Sequence, residues 1–235
     1  MEKGMSKEMQ TDNRFDPETI EHNLRNLQRE LSPGEARSTL LNLLIISREE
    51  EKVSIEEFLS KLLGRRSARI IHIVLSEAEK SDIKVNARCI PDREDIGVCF
   101  QEIYITAGRD GKGAAPGSWT PVLIRDIPTI VLWMNGIISP PSILHHVLEQ
   151  SDKVILDTEE HLNKGEDAGE LFRGIADHFF SRGILLSDLS WKRIEELRRL
   201  SARVFNQDPL LSKLYDIEEI AIQGVNTISR ILYLS

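Results

Sequence analysis

Asp157, Asp188, Trp191, Arg193 and Arg198 are the residues of this 235-residue sequence whose types and spacing could do more than build a core. Asp188 stands where it can cap a helix running from Leu189. Trp191, Ile194, Leu197 and Arg198 then occupy neighbouring positions of that helix, an aromatic body beside guanidinium groups. Two readings are open. In the first, Asp188 caps, Trp191 packs, and an arginine pairs internally with a carboxylate such as Asp157. In the second, Arg193 or Arg198 and Asp157 line a polar pocket or meet a partner, because Trp and Arg are the residue types most often energetic at interfaces. Trp133, at the exit of a strand and flanked by Asp126 and Asn135, carries the same ambiguity between core and contact.

Other constellations fail their own tests. His145 and His146 are adjacent on a short helix with Glu149, so they point to different faces and cannot chelate one ion from regular helix geometry. The run from Gly108 to Gly117 resembles a phosphate loop only in its glycines. Lys112 is followed by Gly113 and not by Ser or Thr, and the spacing of a phosphate-binding loop is absent, so it reads as a flexible connection. No Gly-x-Ser-x-Gly elbow occurs. Cys89 and Cys99 fall on neighbouring strands of a hairpin, which permits a disulfide if the register sets them opposite, although two buried thiols are the plainer reading. No catalytic residue, metal site or cofactor is expected.

The elements that must position these residues follow from apolar periodicity. Asp16-Pro17-Glu18 starts a helix with Asp as cap and Pro at the first position, and Ile20, Leu24, Leu27 and Leu31 supply its stripe. Before it, the polar arm from Met1 to about Asn13 is expected to be mobile. Leu40 to Ile46, interrupted only by Asn42, reads as a buried strand. A charged amphipathic helix around Ser54 to Leu59 leads to a second strand from Arg69 to Leu75, giving a β-α-β unit. Ile83–Ile90 and Val98–Ile105 alternate about a turn-rich stretch and predict an antiparallel hairpin. The runs ending at Trp133 and Leu156 predict two parallel strands joined by one short helix, with Pro128 at the start of the first. Helices from about Asp167 to Ser181 and from Leu189 to Phe205, a strand from Ile217 to Ile222 and a terminal helix complete the reading.

The predicted class is therefore α/β: a mixed sheet with β-α-β units and an antiparallel hairpin, Rossmann-like in its C-terminal half. Three segments are expected, an N-terminal arm and helix over 1–35, an α/β subdomain over 36–112 and a second over 113–235. The net charge of −8 argues against a general nucleic-acid binder. No apolar run is long enough to span a bilayer and the N-terminus has no hydrophobic stretch of the secretory kind, so a cytoplasmic protein is expected.

Arg125 to Gly136, Ser151 to Asp157, and Asp188-Leu189-Ser190-Trp191-Lys192-Arg193 together resemble the family of the glucose-6-phosphate dehydrogenase assembly protein OpcA. Further matches lie in Thr39-Leu40-Leu41-Asn42-Leu43, Ala68-Arg69-Ile70-Ile71, Ala87-Arg88-Cys89 and Cys99 to Ile105. The resemblance covers most of the chain after about Ala36. Family members commonly carry tryptophan where this chain has Met134 and Leu197, and they run on past the equivalent of Ser235, so the sequence reads as clipped or naturally short at that end. The resemblance implies a non-catalytic protein that assembles or allosterically activates glucose-6-phosphate dehydrogenase, which opens the oxidative pentose phosphate pathway. On that reading Asp126, Trp133, Asn135, Asp157, Asp188, Trp191, Arg193 and Arg198 are the candidate partner- or ligand-binding residues. The alternative is a Rossmann-like module that senses a sugar phosphate or nucleotide near Asp157 and Arg193.

Overall fold

The computed structural model describes residues 5–10, 15–31, 39–62, 67–90, 98–206, 213, 216 and 218. The chain divides into two compact units, residues 1–135 with 140–154, and residues 136–139 with 155–235. In chain order the first unit holds β1 (Met5–Gln10), α1 (Pro17–Leu31), β2 (Leu41–Arg48), α2 (Lys52–Leu62), β3 (Ala68–Leu75), β4 (Asp82–Ile90) and β5 (Val98–Ala107). It continues with α3 (Pro116–Trp119), β6 (Thr129–Trp133), α4 (Ile143–Glu149) and the start of β7 (Lys153–Leu156). The strands stand in the order β1-β4-β5-β3-β2-β6-β7. β2 runs parallel to both β3 and β6, and β3 runs parallel to β5. β4 and β5 form the expected antiparallel hairpin, whose register sets Cys89 opposite Cys99. The α/β class is present, as are the strands read from the sequence as far as Leu156.

β2 and β3 are buried on both faces, as parallel strands covered by helices must be, and that is why they read as nearly continuous apolar runs. α1 begins as its sequence requires: Asp16 Oδ2 accepts from Thr19 N at 3.0 Å. Its Ile20, Leu24 and Leu27 are fully buried, each worth about 1.5–3 kcal/mol of burial. Arg69 ties this helix to the sheet. Its buried guanidinium donates to Glu21, to Gln101 Oε1 at 2.8 Å and to the Val122 carbonyl at 2.8 Å, so the charge is both paired and hydrogen-bonded.

Asn42, the one polar interruption in the β2 run, is fully buried and satisfied. Its Nδ2 donates to the Ile124 carbonyl at 2.9 Å and to Thr129 Oγ1 at 3.3 Å, and its Oδ1 accepts from Ile124 N at 3.1 Å. A single amide thus anchors the loop that precedes β6. The start of β6 is held further by Asp152, whose Oδ2 accepts from Thr129 N at 2.7 Å.

The N-terminal arm differs from its expectation: residues 5–10 form β1, paired antiparallel with β4. An edge strand's open row of donors and acceptors accounts for the pairing, since it recruits a polar segment whatever its side chains. The glycine-rich connection is also more ordered than its composition suggests. A side chain at Gly108 would sit 2.6 Å from the Lys80 backbone and one at Gly113 2.8 Å from that of Ala107, so both glycines serve close approach. Ser81 Oγ accepts from the N–H of each, at 3.0 and 2.9 Å.

His72 sits buried in β3 and shares a 2.8 Å hydrogen bond with Ser47 Oγ. Burial, reinforced by the Lys52 ammonium, lowers its pKa from 6.5 to about 4. A folded state that binds its proton only below that value gains stability from the neutral imidazole above pH 6.5 and loses it as pH falls toward 4. The whole effect amounts to about 3 kcal/mol. Urea unfolding of the wild type and His72→Gln at about pH 7 and about pH 4.5 checks it, with the variant expected to lose less stability on acidification.

The second unit contains the end of β7, α5 (Thr158–Asn163), α6 (Ala168–His178), β8 (Leu185–Asp188), α7 (Leu189–Arg193) and α8 (Glu195–Phe205). Asp167 caps α6 by accepting from Glu170 N at 3.0 Å, and the helix buries Leu171 and Ile175. The single helix expected from Leu189 to Phe205 is two. Ile194 leaves helical geometry, at φ −94° and ψ 9°, and divides α7 from α8. Ser190 and Ile194 are buried while α8 buries nothing, so the break separates an inward-facing turn from an outward-facing helix. β8 was not anticipated, because four residues with mixed exposure carry little periodicity. The strand and helix expected after Ile217 lie outside the described residues. No helix among the described residues is long and apolar enough to cross a membrane.

Candidate functional site

The second unit gathers Asp157, Asp188, Trp191, Arg193 and Arg198, with Ser190 and Thr158, at the ends of β7 and β8. Asp188 does two things at once. Its Oδ1 accepts from Ser190 N at 3.0 Å, capping α7, and from Thr158 N at 3.1 Å, while Oδ2 accepts from Thr158 Oγ1 at 2.6 Å. Ser190 closes the link: its Oγ donates to Asp157 Oδ1 at 2.9 Å and accepts from Glu159 N at 2.9 Å. Aspartates three decades apart in sequence thereby lock the first turns of α5 and α7 together.

Arg193 completes the network as a two-pronged ion pair with Asp157. Nη1 donates to Oδ1 at 2.7 Å and Nη2 to Oδ2 at 2.6 Å, with Glu159 Oε2 a further 3.3 Å contact. Burial pushes the Asp157 carboxyl up, but hydrogen bonds from Arg193 and Ser190 outweigh it and hold the group below the ordinary carboxylate range. Asp157 is consequently ionised at neutral pH and spends both oxygens on partners. The pairing raises Arg193 in turn.

Trp191 and Arg198 form a second assembly. The Arg198 guanidinium lies 3.4 Å from the centroid of the indole ring, and its Nη2 donates to the Trp191 carbonyl at 3.1 Å. The indole is 43% exposed. Beside it, Leu156, Phe172, Ile175, Phe180 and Leu186 line an apolar recess of about 280 Å³. Phe180 and Leu185 are exposed nearby in sequence, and α8 presents Leu197, Leu200 and Val204 to solvent at helical spacing. This unit offers an aromatic clamp, a recess and an exposed apolar stripe, features of the kind found at protein contacts.

The remaining candidates sit in the first unit. Trp133 is fully buried on β6, opposite Ile46 of β2. Asn135 is buried, its Oδ1 accepting from Arg48 Nε at 3.3 Å. Asp126 is exposed in the turn before β6 with a positive φ of 66°, a conformation that aspartate tolerates better than most residues. Sequence reasoning passed over Phe180, Leu185, Leu200 and Val204. The signal was present in the Leu197, Leu200, Val204 spacing, but periodicity marks an apolar face without telling whether anything covers it.

Residues 60–173 match a family model described as the glucose-6-phosphate dehydrogenase subunit N-terminal domain, a span that runs from the end of α2 into α6. No curated protein matches the chain. The match over residues 60–173 supports the resemblance that the ordered motifs from Thr39 to Arg193 carry to the family of the glucose-6-phosphate dehydrogenase assembly protein OpcA.

Proposed function

We propose that this protein is a non-catalytic assembly factor and allosteric activator of glucose-6-phosphate dehydrogenase, acting in the cytoplasm. The observation that carries the reading is the family match over residues 60–173. An activator of this kind binds the active, more highly assembled form of the enzyme better than the less active one. It shifts that equilibrium only by the difference between the two affinities. The second unit supports the reading with residue types suited to such contact: Trp191 clamped by Arg198, and the exposed stripe of α8. The Asp157–Arg193 pair supports the contact from behind by holding α7 in place, and its donors are engaged with carboxylates.

Mixing the protein with the dehydrogenase of its own source should give co-elution and a rise in rate or oligomer order at fixed enzyme concentration. Leu200, 57% exposed, provides the control. Leu200→Glu should fold normally yet weaken the complex by about 2 kcal/mol, roughly thirtyfold, because a charge placed in an apolar contact must be desolvated. No complex at tens of micromolar and no change in rate, concentrations at which a micromolar pair would be largely bound, would sink the reading.

A further inference from the structure

The first unit contains a polar cleft that the activator reading leaves unused. Its floor is one face of the sheet, and the register explains which residues meet there. His72 stands opposite Tyr104, Tyr104 opposite Lys84, and Glu102 opposite Asn86, so the two-residue period of β3, β5 and β4 puts all of them on a single side, with Arg88 two residues further along. Lys52 and Glu56 of α2 form the facing wall, and the space between is about 290 Å³, near the lower bound of roughly 300 Å³ for small-molecule sites.

The lining combines charge with hydrogen-bonding capacity. Three cations, Lys52, Lys84 and Arg88, face two carboxylates, Glu56 and Glu102. Glu102 is occupied: Arg88 Nε lies 3.1 Å from its Oε2, and Asn86 Nδ2 donates to the same oxygen at 2.9 Å. The surplus is positive, in a chain whose net charge is −8. Lys52 stands 5.4 Å from the centroid of the Tyr104 ring, which also packs edge-on against His72. The Tyr104 hydroxyl has no hydrogen-bond partner among the described residues. An ordinary solvated face of an outer antiparallel pair would be open to water, whereas here α2 walls it and His72 on the floor is only 5% exposed.

We propose that this cleft binds a small hydroxylated anion, a carboxylate or phosphate monoester on a short polyol skeleton, with the acid group held by Lys52 and Lys84 and the hydroxyls by Glu56, Asn86 and Tyr104. Neutral polyols lack the group that the surplus charge selects. Long anions exceed the volume.

The test is a titration of the full chain with D-glycerate, glycerol 3-phosphate and, as the uncharged control, glycerol. Each is taken to about 10 mM, where a ligand of millimolar affinity is mostly bound. Binding is followed by the NMR signals of the His72 ring. The expected result is saturable movement of those signals with at least one anion and none with glycerol. Response to glycerate alone assigns the carboxylate class, and response to glycerol 3-phosphate alone the phosphate class. Lys84→Met should weaken binding tenfold or more, and Lys52→Met, at an exposed helical position, gives the same readout without touching a strand. Failure of both anions to saturate, an equal response to glycerol, or unchanged affinity in Lys52→Met overturns the proposal.

Discussion

Trp133→Ala is expected to destabilise the protein by about 3–5 kcal/mol, the range for removing a fully buried aromatic side chain. The indole is completely enclosed on β6, and its Nε1–H has no hydrogen-bond partner among the described residues. Its contribution is therefore packing and burial, set against a desolvated donor. That sets up a second comparison: Trp133→Phe keeps most of the volume and removes the orphaned donor, so it should cost far less, under about 1.5 kcal/mol. Urea unfolding of both variants measures the difference. A stable Trp133→Ala that had lost the dehydrogenase would instead place this side chain at the contact.

Arg193→Ala and Arg198→Ala should part company. Removing Arg193 leaves Asp157, whose side chain is 11% exposed, with its charge buried and only Ser190 as a side-chain donor. Losing one partner of a buried pair costs about 3–5 kcal/mol, and because the Arg193 side chain is 41% exposed, solvent screening reduces the expected cost below that range, to about 2–3 kcal/mol. For a chain of this size the melting temperature falls by roughly 2–4 °C per kcal/mol. Arg198 gives up a stacking contact and one hydrogen bond, a loss of about 1 kcal/mol or less, so its replacement should barely move melting. If Arg198 meets the enzyme, binding should weaken by about 2 kcal/mol while the fold is retained. Early melting of both variants without selective loss of the partner would move the contact away from α7 and α8. The pair also carries an acid signature. Because the Asp157 carboxyl is held below its ordinary value, its stabilisation is present above the unfolded pKa of about 3.8 and disappears as pH falls below it. Arg193→Ala should lack that component.

The Asp157, Asp188, Trp191, Arg193 and Arg198 cluster divides into two sets of internal contacts. Asp157, Asp188 and Arg193 satisfy one another inside the second unit. Trp191 and Arg198 satisfy each other at its surface. Sequence spacing could place Asp188 ahead of a helix, since capping is a local event within four residues. It could not say that Asp188 also reaches Thr158, or that Arg193 chooses Asp157, because those partners are thirty or more residues away.

The sequence by itself determined the local pieces: the capped, striped α1; the doubly buried β2 and β3; the β4–β5 hairpin; and the strand that ends at Trp133. Each rests on interactions within a few residues, on apolar periodicity, cap chemistry and turn composition, and these survive without knowledge of the fold. Only the tertiary structure decided that β6 lies beside β2, that a polar arm becomes β1, that the helix after Leu189 breaks at Ile194, and that His72, Tyr104 and Lys84 share one cleft. Those outcomes depend on pairing between distant strands and on whether an apolar or charged face finds a cover. Period two or period 3.6 marks such a face, but the identity of what meets it is a long-range property that no local pattern encodes.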